Sequence, residues 1–357
     1  MQQYKQEWFG NIRGDILAGI VVCLALFPEV IGFMIVAGVP PIVGVYATFF
    51  ITAIAAFFGS SKGMISAAAG SVALVLAHLV AEYGIQYLFA ATILAGILQV
   101  ALGLLKVGTL MRYIPKPVMT GFVNGLGIMM FTSQLDHFRG SLLLPLLGLL
   151  GIAIIFLFPR VTKKIPAPIV AILVITAIVL GFGLDVKTLG DMGSISTDLP
   201  RFGIPAVPMT VETLRIIFPT ALSVAIVGLV ESLLTAQLVD EITEEKSDKN
   251  QETLSQGLGN VVSGFFGGIA GCGMIGQTII NLNYGGLGRL ATFLSGFFML
   301  LSVVLLNGSV VQIPVVALAA VMVVVSIETI NWDSIKRLRT NPKNESFAMI
   351  LTVAIVI

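Results

Sequence analysis

Gly264-Phe265-Phe266-Gly267-Gly268-Ile269-Ala270-Gly271-Cys272-Gly273-Met274-Ile275-Gly276-Gln277-Thr278 is a stretch without a charge in which glycine and small residues interrupt an apolar run. A smaller counterpart lies upstream. Phe57-Phe58-Gly59-Ser60-Ser61-Lys62-Gly63-Met64-Ile65-Ser66-Ala67-Ala68-Ala69-Gly70-Ser71 opens on the same Phe-Phe-Gly and passes through small residues into a short apolar segment. Glycine-interrupted segments paired across the two halves of a membrane chain mark broken helices around a transported substrate. The pairing therefore bears on fold and function together.

Composition makes this a membrane chain. Hydrophobic residues are 57% and charged residues 11% of the 357, against about 25% charged in an average soluble domain. Most apolar stretches run 17 to 25 residues, the length of a helix crossing a hydrocarbon core of about 30 Å and unlike the ~10-residue alternating strands of a barrel. The expected fold class is an all-α polytopic membrane protein. Candidate spans are 14–36, 41–58, 64–81, 87–105, 115–135, 141–158, 166–184, 211–239, 254–270, 274–284, 290–307, 313–330 and 346–357, thirteen in all with two short ones. A net charge of +1 provides no basic face for nucleic acid; the lipid bilayer is the first partner. Cys23 and Cys272 sit in apolar segments and read as buried free thiols, without a disulfide framework or a CxxC metal site. The segment 1–15 carries Lys5, Glu7, Arg13 and Asp15 and lacks a small-residue cleavage site, so it does not read as a signal peptide.

Cytoplasmic loops carry an excess of Lys and Arg. Starting inside, sixteen of the twenty basic residues fall on the inner side, Lys62, Arg112, Lys163, Lys164, Lys246 and Arg289 among them, while Arg139, Lys187, Arg201 and Arg215 fall outside. The expectation is a multi-pass protein of the cell (inner or plasma) membrane with a cytoplasmic N-terminus. The polar stretch 185–210, with Asp185, Asp191 and Asp198, is an outer connector. It separates a first repeat, 1–184, from a second, 211–357, and seven spans before it invert the second copy in the bilayer. The charged stretch from Asp240 to Glu252 reads as a solvated loop. Each half begins with one carboxylate in an apolar span, Glu29 and Glu231; Gly59 follows the first by 30 residues and Gly267 follows the second by 36.

Three motifs now resemble the sulfate permease family, SulP, known in animals as solute carrier family 26. The first is Pro28-Glu29-Val30-Ile31-Gly32-Phe33-Met34-Ile35-Val36-Ala37-Gly38-Val39-Pro40-Pro41-Ile42-Val43-Gly44-Val45-Tyr46. The second runs from Gly59-Ser60-Ser61 through Gly70-Ser71. The third is Gly271-Cys272-Gly273-Met274-Ile275-Gly276-Gln277-Thr278 with Gly285-Gly286 and Arg289 downstream. The resemblance runs through most of the chain and implies fourteen spans in two inverted repeats of seven. A core bundle of spans one to four and eight to eleven would hold the substrate, beside a gate bundle of spans five to seven and twelve onward. Two departures stand out. The family usually continues into a cytoplasmic STAS domain, whereas this chain stops at Ile357 inside span thirteen and reads as truncated; the junction from Asp136 to Leu143 is also tighter than the family's.

The resemblance implies that the amides around Ala69, Gly70 and Ser71 face those around Met274, Ile275, Gly276 and Gln277 across a shared cavity. Helix N-termini offer unpaired N–H groups and a positive dipole end to an anion, and Ser71, Gln277 and Thr278 add side-chain donors. Glu29 and Glu231 are costly in a span unless paired, protonated or in water, and such residues are functional by default. Glu231 with Thr235 one turn on resembles the family's coupling-cation position, with H+ preferred and Na+ as the other option. Pro28, helped by Gly32, is expected to break or kink the first span beside the site. His78 reads as packed or cavity-facing and His137 as solvent-exposed, neither with metal-ligand company. No Gly-x-Ser-x-Gly elbow or phosphate loop appears, so neither an enzyme nor an ATP-driven pump is expected, and no cofactor. The reading is secondary active transport of a small anion, namely sulfate, bicarbonate or a dicarboxylate, with a homodimer left open. The alternatives are a nucleobase (uracil or xanthine) proton symporter of the same fold and a non-transporting anion sensor or scaffold.

Overall fold

The computed structural model describes residues 2–109, 115–162, 166–192, 199–339 and 342–356. Arg112, Lys163, Lys164 and Asp198 of the charge argument lie outside the described residues. In chain order the elements are α1 (Gln2–Phe9), α2 (Ile12–Ala37), α3 (Pro41–Phe58), β1 (Ser66–Ala68), α4 (Gly70–Tyr83), α5 (Ile85–Leu104), α6 (Lys116–Gln134), α7 (Leu143–Leu157), α8 (Ala167–Phe182), α9 (Val211–Thr243), α10 (Lys249–Phe265), β2 (Gly271–Gly273), α11 (Ile275–Asn283), α12 (Arg289–Val310), α13 (Val315–Thr329), α14 (Trp332–Lys336) and α15 (Lys343–Val356). Among the described residues, five helices are long and apolar enough to cross a membrane: α2, α3, α5, Leu143–Arg160 and α9.

Local chemistry sets the boundaries. Gly38, at φ +69°, ends α2 in the left-handed conformation that glycine adopts without strain. Pro40 then caps α3 and Pro41 takes its first position, where a missing N–H costs nothing. Thr210 caps α9 by accepting from the Thr213 amide at 3.2 Å. At 14 and 9 residues, α4 and α11 reach only about 21 Å and 14 Å, too short to cross a bilayer alone.

The chain divides into two compact units. One comprises residues 1–109 and 190–312, the set of spans expected for the core bundle. Inside it, α3 packs on α10 and α12, α2 on α12, and α5 on both α9 and α10. Small residues bring α5 and α10 together at backbone distance. A Cβ on Gly96 would stand 2.6 Å from the Gly257 carbonyl, and one on Gly257 would stand 2.6 Å from the Val100 amide, which is the close packing small residues permit between membrane helices. The other unit comprises residues 110–189 and 313–357. There α13, buried along Val315–Val324, is packed by α6, α7 and α8, and α15 lies on α6.

Three expectations need correction. Pro28 does not break the first span, because α2 runs unbroken from Ile12 to Ala37 through Pro28 and Gly32; buried neighbours let a membrane helix accommodate a proline. The stretch from Asp240 to Glu252 is a solvated loop only over residues 244–248, where Glu244, Glu245, Lys246 and Asp248 are exposed. Otherwise α9 continues to Thr243, Asp248 caps α10 through the amides of Asn250 and Gln251, and Glu252 is 1% exposed. The reason is the neighbouring turn, whose Ser60 and Ser61 amides donate to Glu252 Oε2 at 2.9 and 3.0 Å. Finally, the expected span 64–81 opens with the strand Ser66–Ala68, and the strand Gly271–Gly273 stands just ahead of the expected span 274–284, so among the described residues a helical fold carries one small antiparallel pair.

Candidate functional site

The site is built where the two interrupted segments cross. β1 and β2 pair with Ser66 opposite Gly273, Ala67 opposite Cys272 and Ala68 opposite Gly271. Glycine is required there. A Cβ on Gly271 would lie 2.1 Å from the Ala67 carbonyl, and one on Gly273 would meet Met64 and the α9 backbone at Ser232. Each strand runs straight into a helix, β1 into α4 past Ala69 and β2 into α11 past Met274. Antiparallel strands send the chain into the two helices in opposite directions.

Both helices therefore start at the crossing with their dipole ends turned to it. The first intrahelical bonds are Ala73 N–H to Ala69 C=O and Thr278 N–H to Met274 C=O, so the amides of Gly70, Ser71 and Val72, and of Ile275, Gly276 and Gln277, have no partner within their own helices. The Met274 amide is used differently from the expectation, donating to the Ile65 carbonyl at 2.8 Å. Thr278 is fully buried and its hydroxyl oxygen accepts from the Ile65 amide at 3.0 Å. Both residues tie α11 to the strand ahead of α4.

The carboxylates lie at these helix ends, and they do so crosswise. Glu231, from the second half, accepts through Oε2 from Ser71 Oγ of the first half at 2.7 Å, and Cys272 Sγ donates to the same oxygen. Glu29, from the first half, accepts through Oε2 from Gln277 Nε2 of the second. Each carboxyl, from the middle of its own helix, is thus bonded to a first-turn side chain of a helix in the other half, where a negative charge is favoured by the dipole. Thr235 donates to the Glu231 carbonyl at 2.8 Å and reaches the Gly273 carbonyl at 3.2 Å, joining α9 to β2. The two ends differ in access. Gly70 and Ser71 are buried, whereas Ile275 is 37% exposed and a Cβ on Gly276 would meet nothing within 4 Å.

Sequence reasoning missed the residues that hold β2. The side-chain amide of Asn260 accepts from the Gly271 N–H at 2.8 Å and donates to the Gly271 carbonyl at 3.1 Å. It also donates to Gln99 Oε1 at 2.7 Å, and Ser232 Oγ accepts from the Gly273 amide at 2.9 Å. All three are fully buried. The available signal was their polarity inside apolar helices, since an uncharged polar side chain there needs a partner. Cys272 is a buried free thiol, as expected, and in addition donates to the Glu231 carboxyl.

His78 departs from the packed reading: its side chain is exposed, with Nε2 3.3 Å from Glu82. His137 is half-buried instead of solvent-exposed. Burial is the main cause that pushes its imidazole below the ordinary value, with Asp136 opposing and Lys187 adding to the shift. Among the described residues no group of three or more His, Cys, Asp and Glu could hold a metal ion.

Comparison with known proteins adds three findings. The profile described as the Sulfate permease family matches residues 12–142 and 139–352. YbaR of Bacillus subtilis, provisionally named a sulfate transporter, is 54% identical over 356 residues, which is 99% of this chain and 74% of that protein. Among solved structures, the transmembrane domain of the cyanobacterial bicarbonate transporter BicA superposes with a TM-score of 0.89 at 25% identity, covering 98% of this chain and 96% of that one. SLC26A9 superposes with a TM-score of 0.84 at 19% identity over 95% of this chain and 61% of that one, a likeness of fold.

Proposed function

Because the chain belongs to the sulfate permease family of membrane anion transporters, we propose that it is a proton-coupled secondary transporter of a small oxyanion, sulfate or bicarbonate or a dicarboxylate, working by alternating access. The proposed seat is the cell membrane, with the N-terminus inside. The anion would be held between the starts of α4 and α11. The observation that carries this reading is the crosswise placement of Glu29 on Gln277 and Glu231 on Ser71. Two of the three side-chain donors expected for the anion, Ser71 and Gln277, are engaged by carboxylates, and the third, Thr278, is bonded to the Ile65 amide. An anion cannot share them with two negative charges in a low-dielectric interior, where like charges repel strongly. Protonation of a carboxyl removes one charge and releases its hold, so that anion and proton enter together. In Glu231, Oε2 already accepts from Ser71 and Cys272, and the proton therefore goes to Oε1. The anion approaches from the Ile275–Gly276 side, where the α11 amides are open.

The names of the similar proteins support oxyanions as the substrate class: BicA is a bicarbonate transporter, and YbaR carries its provisional sulfate assignment. The decisive experiment is uptake of labelled sulfate, bicarbonate and fumarate into proteoliposomes, with and without an inward proton gradient and with uracil as a competitor. Uptake of one anion, raised by the gradient and indifferent to uracil, is the expected result. Uracil-sensitive uptake would assign a nucleobase symporter, and anion binding without flux would assign a sensor.

A further inference from the structure

The connector ahead of α9 changes character half-way along. Residues 185–198 carry four charges, Asp185, Lys187, Asp191 and Asp198, whereas Leu199-Pro200-Arg201-Phe202-Gly203-Ile204-Pro205-Ala206-Val207-Pro208-Met209-Thr210-Val211 carries one, at Arg201. Five large apolar side chains of this second part, Leu199, Phe202, Ile204, Met209 and Val211, are exposed, Met209 at 90%. Single exposed apolar residues are ordinary on any surface. Five of them within thirteen positions form a patch, and such patches mark contacts.

Although residues 199–210 belong to no helix, they are fixed in place. The Gly203 N–H donates to the Phe265 carbonyl at 2.8 Å. The Phe202 ring stacks on Phe265 with centroids 5.4 Å apart and stands edge-on to Phe266 at 5.8 Å. Further on, the Ala206 N–H donates to Gln86 Oε1 at 2.9 Å, and Thr210 caps α9. The segment thus crosses one end of its unit, from the end of α10 past the start of α5 to the start of α9.

That end carries the marks of a membrane surface. Tyr83, the last residue of α4, and Tyr87, in the first turn of α5, lie 5.3 Å apart between ring centroids and flank Gln86 in sequence; tyrosines gather at the level of the lipid headgroups. From Val211 the exposed apolar face continues down α9 through Leu214, Phe218, Leu222 and Ile226, spaced for one side of a helix. Since α9 is long and apolar enough to span, that side meets acyl chains. Arg201 is exposed and has no ion pair among the described residues, which suits a lipid phosphate at the same level. The backbone also needs little water. Pro200, Pro205 and Pro208 have no N–H, and the N–H groups of Gly203, Ala206, Val207 and Thr210 are bonded within the protein. Seven of the twelve positions from 199 to 210 therefore leave no amide hydrogen to be stranded in a dry setting.

We propose that residues 199–211 are a membrane-embedded strap, lying in the interface of the leaflet where α9 begins, with Ile204 and Met209 in contact with phospholipid. The bilayer's outward-facing surface on α9 is thereby extended over the end of α10 that leads into the glycine-rich strand.

Spin labels on single introduced cysteines, read in the full protein reconstituted into phosphatidylcholine vesicles, test this by collision with oxygen, which concentrates in lipid, and with a water-soluble nickel chelate. Both native thiols are buried, and the unsubstituted protein gives the labelling background. Ile204→Cys and Met209→Cys change exposed side chains and are compared with Ile226→Cys on the apolar face of α9 and Lys246→Cys in the exposed charged loop. Labels at 204 and 209 are expected to favour oxygen, as the label at 226 does, with nickel collisions several-fold fewer than at 246. Nickel collisions at the level of 246 would overturn the proposal by placing the strap in water. Protection from both reagents would overturn it too, in favour of a second copy of the chain if dilution in lipid lifts the protection.

Discussion

Glu231 accepts from Ser71 and Cys272 through one oxygen, so a substitution that keeps the shape of the side chain but cannot carry a proton isolates coupling from binding. Glu231→Gln is expected to reduce accumulation driven by an inward proton gradient to the level seen without one, while anion exchange continues; equal acceleration of mutant and wild type in liposome uptake would sink the idea. Glu252 makes a different prediction, because it serves the backbone. Its Oε2 collects the amides of Ser60 and Ser61, and its Oε1 accepts from Gln256, which in turn donates to Ser66 of β1. Truncation to Ala strands two amides and is expected to lower stability by roughly 2–4 kcal/mol. Gln keeps an acceptor and should lose less than half of that, as denaturation in detergent would measure. Identical midpoints for wild type and Glu252→Ala would exclude the role.

The strand pair makes two glycines of one motif behave in opposite ways. Gly271→Ala puts a methyl group 2.1 Å from a carbonyl oxygen of the partner strand, and recovery of folded protein from size-exclusion chromatography should collapse. Gly276→Ala meets nothing within 4 Å. It should leave Tm unchanged while lowering uptake several-fold by crowding the α11 amides, and unimpaired uptake would place the anion elsewhere. Both glycines were visible in the sequence as interruptions of an apolar run, and so were the two half-helices, because local composition carries that signal. The sequence also displayed Glu29 and Glu231 as carboxylates in apolar spans. It could not display their partners: Ser71 lies 160 residues from Glu231, and Gln277 lies 248 from Glu29. The same limit hid Glu252, whose charged neighbours made a surface loop the natural reading until the turn at Ser60, 192 residues away, folded onto it. Pro28 misled for a related reason, since a proline's local penalty is absorbed by helices that only tertiary structure supplies.

Across the whole molecule, large apolar side chains remain on the outside, Leu146 and Leu149 of α7 each at 63% exposure, as a bilayer solvent requires. Leu149→Arg is expected to cost about 2.5–3.5 kcal/mol of insertion free energy, and membrane-fractionated yield should fall accordingly; an unchanged yield would show that this face of α7 does not meet lipid. The crosswise carboxylates carry a further consequence for how such a chain can be made. Under the proposed function neither half would own a finished binding centre, because each keeps its carboxyl beside the other half's donors and each contributes one strand to the shared pair. A gene severed within codons 185–210 should therefore give two inert products when expressed singly and measurable anion uptake when expressed together. Complementation of that kind would place the completion of the centre late in biosynthesis, after the ribosome has passed Gln277.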